Sequence, residues 1–174
     1  MDVSFPEPYR LKEGYMHVPV PHELFQNIPD TLVVDGTELG IKSEFHISLF
    51  ELEYLASFLV SATEKSFEEV QENVLSIFSS YVAKKPITLT GFLDDFRVVE
   101  KEERKSVVVR CQMENLNGFF EALESTVGAS VYRQPAHVTI YTLGHNKGIG
   151  IHTNEEMESF RAIELPEVFT KLGV

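Results

Sequence analysis

The sequence predicts an α+β protein built on a mostly antiparallel sheet. Three observations carry that expectation. Segments with strand alternation and segments with helical spacing interleave along the 174 residues. Several consecutive strands lie close enough to form hairpins, Asp35-Gly36 being the clearest tip. No G-x-G-x-x-G and no P-loop occurs, so a doubly wound sheet holding a nucleotide on a glycine-rich turn is not expected.

In order, Gly14 to Val20 reads as a short strand ended by Pro19 and Pro21, and Pro21 to Leu24 as a turn into a brief helix. Thr31 to Val34 and Leu39 to Ile41 flank the Asp35-Gly36 tip. Glu44 to Phe50 alternates, with Phe45, Ile47 and Leu49 on one face and His46, Ser48 and Phe50 on the other. From Glu51 to Lys85 the period lengthens: Leu52, Leu55, Ala56, Leu59 and Val60 make one stripe. Ser66 with Glu69 forms a capping box opening a second helix, whose stripe is Phe67, Val70, Val74, Ile77, Phe78 and Tyr81. Pro86 ends it. Ile87 to Leu93, Phe96 to Val99 and Ser106 to Met113 read as strands, the last two joined by a charged tip, Lys101 to Lys105. Asn115 to Val127 reads as a helix with Leu116, Phe119, Phe120 and Leu123 inward, and His137 to Leu143 as a strand. A turn at His145-Asn146-Lys147-Gly148 leads to Ile149 to His152, and Thr153 with Glu156 caps a short final helix.

Composition narrows the function classes. Apolar residues make up 43% and charged residues 24%, which argues against disorder and fibrous repeats. The net charge of −12 does not suggest a basic face for long duplex nucleic acid. A single cysteine, Cys111, forms no internal disulfide and builds no multi-cysteine metal site, pointing to a reducing compartment. With no run near the length of a membrane span and no apolar leader between Met1 and Arg10, a soluble, cytoplasmic monomer is the expectation, without a membrane partner.

The strongest feature is a repeated tripeptide, His46-Ile47-Ser48 and His137-Val138-Thr139, 91 residues apart. Each continues in phase, as His46-Ile47-Ser48-Leu49-Phe50 and His137-Val138-Thr139-Ile140-Tyr141. In a strand, residues two apart share a face, so each imidazole should share its face with a hydroxyl and an aromatic ring. Histidine titrates near neutrality and suits both general-base and general-acid work. Two imidazoles on opposite sides of a phosphorus could activate water and protonate the departing oxygen. The hydroxyls of Ser48 and Thr139 would then donate to the non-bridging oxygens. Which histidine is the base stays open at this level.

At these residues the chain resembles the 2H phosphoesterases, whose signature is His-hydrophobic-Ser/Thr-hydrophobic occurring twice. The opening strand, the helices between the motifs, the hairpin from Phe96 to Met113 and the helix from Asn115 fall in the family's order. Gln134-Pro135-Ala136-His137 is similar to the family's Pro-His entry to the second motif, with Ala136 intervening. Thr142 stands where a basic residue often follows the second motif. The resemblance implies one domain over 1–174, formed of two pseudo-symmetric lobes of mostly antiparallel sheet with helices on their outer faces. It also implies a metal-independent phosphodiesterase with no cofactor, acting on a 2′,3′-cyclic phosphate or 2′-5′ linkage of a small nucleotide or RNA end. His46, Ser48, His137 and Thr139 would be its catalytic residues, and a bell-shaped pH profile its kinetic signature.

Phe50 and Tyr141 extend the two polar faces and could stack on a base or ribose. Tyr15 and His17 alternate on the opening strand and could line the same groove. Arg133 and Lys42, each four residues before a motif histidine, are candidate phosphate cations, with ordinary surface roles as the alternative. His22, His145 and His152 read as solvated, as do the acidic clusters Glu51/Glu53, Glu68/Glu69 and Asp94/Asp95. Two other function classes remain: a non-catalytic phosphonucleotide-binding module of the same fold, and a metal enzyme using His46, His137 and Glu44. Against the second, the later strand offers a hydroxyl where a carboxylate would be expected.

Overall fold

The structure is a computed structural model, and it describes residues 5–144 and 148–170. The chain runs β1 (Arg10–Lys12), β2 (Tyr15–Val20), a 3₁₀ turn at His22–Phe25, β3 (Thr31–Val34), β4 (Thr37–Ile41), β5 (Phe45–Glu51), α1 (Leu52–Val60), α2 (Phe67–Val82), β6 (Thr88–Lys101), β7 (Arg104–Glu114), α3 (Leu116–Val127), β8 (His137–Thr142), α4 (Asn154–Ser159), β9 (Arg161–Ile163) and α5 (Glu167–Thr170). Among the described residues one sheet runs β1-β2-β5-β8-β7-β6-β9, with the β3–β4 hairpin joined to β8 through β4. Its pairings are antiparallel. The protein is therefore α+β with a large antiparallel sheet.

Local chemistry places most elements. Asp35 and Gly36 both take positive φ, 51° and 77°, as a two-residue hairpin with primed geometry requires. Ser66 and Glu69 exchange side-chain and backbone hydrogen bonds at the start of α2, and Thr153 accepts from the Glu156 amide ahead of α4. The strands expected at Ile87–Leu93 and Phe96–Val99 are one element, β6, carried across register irregularities that leave pairing with β7 intact on both sides. The segment from Ile149 to His152 is no strand: Ile149 and Ile151 are buried against Val99 and Val108, and the backbone crosses the sheet instead of joining it. Of the turn expected at His145-Asn146-Lys147-Gly148, the first three residues lie outside the described residues.

The sheet's two faces are covered differently. Ile47, Leu49, Phe50, Val107, Val109 and Val138 pack with α1, α2 and α3 in the main core, where Phe50 meets the rings of Phe78 and Phe119. Helices α1, α2 and α3 thus cover one face of the sheet. The other face carries a small cluster of Val99, Val108, Ile149, Ile151 and Met157 beneath the 148–160 segment. Lys101, at the charged tip of the hairpin, holds that segment by donating to the Gly150 carbonyl (2.8 Å) and pairing with Glu156.

Candidate functional site

The two motif strands are neighbours at the centre of the sheet. Their ladder is a single residue pair, Ile47 with Val138. Paired residues in an antiparallel ladder point to the same side, so both apolar residues face the helices and both histidines face away from them. The same register sets His46 across from Thr139 and Ser48 across from His137. Gln134, which is buried, reinforces the junction by donating to the Ser48 carbonyl (3.3 Å). The repeated tripeptide is thus one face with two imidazoles and two hydroxyls, and His137 is near enough to act on the charge of His46.

A β-bulge explains where the predicted aromatic rings went. Met16 pairs with Phe50 and His17 with Ser48, so Leu49 is an extra residue on β5. Val107 pairs with Tyr141 and Val108 with Thr139, so Ile140 is an extra residue on β8. Both motifs bulge at their fourth position, which turns the fifth residue to the helix side and brings the sixth onto the histidine face. Phe50 is accordingly a core residue. Tyr141 is fully buried, with its hydroxyl donating to the Pro29 carbonyl (2.6 Å). Neither ring can stack on a substrate from there. Strict alternation, continued through the bulge, put them on the wrong face.

The residue that the first bulge delivers is Glu51. Its carboxylate accepts from the Tyr15 hydroxyl (3.0 Å) and from the His152 ring. Tyr15 is therefore brought to the histidine face, while Glu51 and His152 are not the solvated groups the sequence suggested. His152 is half-buried, and its ring stacks on Tyr54 at 4.4 Å. Two glycines let the crossing segment approach this face. A Cβ on Gly148 would lie 2.9 Å from Thr139 Oγ1, and one on Gly150 would lie 2.8 Å from the Tyr15 hydroxyl.

Each motif histidine has a distinct surrounding. His137 is 6% exposed, and its Nδ1 donates to the Pro135 carbonyl (2.7 Å). A carbonyl can only accept, so Nδ1 carries a proton and Nε2 is left with the lone pair in the neutral ring. Burial lowers its pKa. His46 is half-buried and stacks face to face on His17, with centroids 4.2 Å apart and planes 8° from parallel. Burial, then the nearby charges of His17, Lys42, His137 and Lys12, push His46 down to about 3. Burial, followed by Lys12 and Lys42, pushes His17 down to about 4. The Nε2 of His17 is enclosed without a hydrogen-bond partner. In the free protein all three rings are neutral at pH 7.

Arg133 does not join them. Its guanidinium is bound by Glu124 (3.2 Å) and Asn117 (3.5 Å) of α3, on the helix side of the sheet. Near His137 the cation is Arg110, directly across the ladder on β7 and paired with Asp95 at 3.2 Å. Asp95, read as solvated, is held below the usual carboxylate range by Arg97 and Arg110 against the opposing effect of its burial. His22 is exposed, as expected. Among the described residues no group of three or more His, Cys, Asp or Glu is placed to hold a metal. No described helix is long and apolar enough to cross a membrane. Comparisons with family models, with curated proteins and with solved structures return no match.

Proposed function

We propose that the protein is a 2H-type phosphodiesterase. It hydrolyses a 2′,3′-cyclic phosphate or a 2′-5′ linkage in a nucleotide or RNA end, in a single domain whose two sheet halves are related lobes. The observation that supports this most is the Ile47–Val138 pair, which sets each motif histidine across from the other motif's hydroxyl on one face. The matching bulges at Leu49 and Ile140 favour two related halves, because independent strands have no reason to break register at the same motif position.

The surroundings favour one assignment of roles. His137, with Nδ1 fixed as a donor, presents an Nε2 lone pair and serves as general base, taking a proton from water as its oxygen attacks phosphorus. The opposite P–O bond breaks, and protonated His46 gives its proton to the departing ribose oxygen. Ser48 and Thr139 donate to the non-bridging oxygens, on which charge shifts during displacement. His46 is neutral in the free protein, so the acid forms with the substrate: an incoming phosphate anion raises its pKa and a proton enters with the ligand. No step calls for a metal or a cofactor.

The test is hydrolysis of 2′,3′-cyclic AMP and CMP by the wild type, His46→Ala and His137→Ala, with and without a chelator. Each substitution is expected to cost at least about 10²-fold in rate, and chelation to cost nothing. Absence of wild-type turnover at every pH from 5 to 9, or turnover indifferent to both substitutions, overturns the reading. Binding of a 2′-nucleotide without turnover would leave a phosphonucleotide-binding module.

A further inference from the structure

Lys42 is buried to 5% exposure. Its ammonium has no carboxylate within ion-pair distance and no hydrogen-bond acceptor among the described residues; Glu44 is the one carboxylate whose charge reaches it. Desolvating an ammonium costs free energy that a partner normally returns, and among the described residues only the charge of Glu44 offsets it. The tip is not sealed off, however. Among the described residues the fully enclosed side-chain atoms without partners are His17 Nε2, Thr63 Oγ1 and Ser106 Oγ, and the Lys42 ammonium is not one of them.

The backbone explains why this lysine sits where it does. Its amide donates to the Ile140 carbonyl (2.9 Å), extending the β4–β8 ladder by one step. Between there and the Ile47–Val138 pair the register slips by three residues. Lys42 therefore leaves the ladder beside Thr139 and just ahead of His46. Its positive charge is felt at both His46 and His17. Lys12, on the edge strand, adds a second cation that is felt at the same two rings. In a chain of net charge −12, these positives converge on the one face that carries the two motifs.

We propose that Lys42 is the cation that holds the anionic oxygens of a phosphoryl group against His46 and Thr139. This rests on the phosphoryl reading of the site and supplies the positive charge absent at Thr142. A lysine suits the task as a compact point charge that can meet several oxygens without a fixed fork. The unpaired ammonium is a cost carried by the free protein and relieved by the ligand.

The experiment compares wild type, Lys42→Met and Lys42→Arg by thermal unfolding with and without inorganic phosphate, and by the KM for 2′,3′-cyclic AMP. Methionine keeps the stem and removes the charge, so the ligand-free variant should melt at or above the wild type. Phosphate should raise the melting temperature of the wild type and of Lys42→Arg but not of Lys42→Met, whose KM should rise at least about tenfold. An equal phosphate response in wild type and Lys42→Met, no response in the wild type, or a ligand-free Lys42→Met that melts well below the wild type overturns the assignment. If His46→Ala and His137→Ala abolish turnover while Lys42→Met leaves KM unchanged, the hydrolase reading stands and this one falls. If phosphate binding depends on Lys42 but no variant turns over cyclic nucleotide, Lys42 stands and the hydrolase reading falls.

Discussion

On β5, His46 lies half-buried with one ring face against His17 and, among the described residues, no hydrogen bond fixing its tautomer; on β8, His137 is almost wholly buried and locked through Nδ1 by the Pro135 carbonyl. The strands carry the same five-residue pattern, pair with each other, and bulge at the same position. Up to that point they are interchangeable. What separates them comes from outside: β2 supplies a second imidazole and the chain before β5 supplies Lys42, whereas β7 supplies Arg110, already engaged by Asp95. The first bulge delivers Glu51 to a network with Tyr15 and His152, and the second delivers Thr142, which is buried. A repeated motif thus provides matched geometry, and unmatched neighbours give its two histidines different protonation chemistry.

The equivalence of the hydroxyls is the easiest part of the comparison to break. Ser48→Ala and Thr139→Ala are each expected to lower kcat about 10²-fold with little change in KM, since each removes one donor to the non-bridging oxygens. A large loss from one and none from the other, measured by steady-state kinetics on a cyclic nucleotide, would end the two-fold reading. Gly148→Ala strikes the second motif alone, because its new Cβ must sit 2.9 Å from Thr139 Oγ1. It should lower kcat about tenfold. Gly40→Ala, where a Cβ meets nothing within 4 Å, should leave activity unchanged.

The two imidazoles should also separate by pH. Burial beside His17 holds His46 at about 3, so kcat/KM should rise as pH falls below neutrality. His17→Ala admits water to His46 and moves its pKa up toward the ordinary value. The acidic optimum of kcat/KM should then shift upward by about one unit, while the tautomer set at His137 is untouched. The smallest effect is on stability. His17 and His46 bind protons more readily unfolded than folded, so stability is full above the ordinary histidine value and is lost as pH falls toward 4. Melting temperature should drop between pH 7 and pH 4, and the drop should be shallower, by a few degrees, in His17→Ala.

Much of the fold was legible because its signals are local. The Ser66–Glu69 capping box, the Thr153 cap, the Asp35-Gly36 tip and the apolar stripe of α2 depend on contacts within a few residues, and each is present. Phe50 and Tyr141 were misread for a physical reason. A bulge is one residue without a ladder partner, and nothing in Ser48-Leu49-Phe50 or Thr139-Ile140-Tyr141 marks which strand lies alongside. Glu51 and His152 were missed because their partnership spans 101 residues and exists only after the 148–160 segment crosses the sheet. The two glycines that permit that crossing, Gly148 and Gly150, were its one visible trace.

By itself the sequence determined the class of fold, the four motif residues and the face each occupies along its own strand. Side-chain direction in a strand follows from a period of two and needs no partner. Only the tertiary structure decided that the two strands would be adjacent, and in a register that faces each imidazole with the other motif's hydroxyl. It also decided which cation would be buried beside them. Register, burial and field are properties of residues brought together from distant parts of the chain, and no short stretch of sequence contains them.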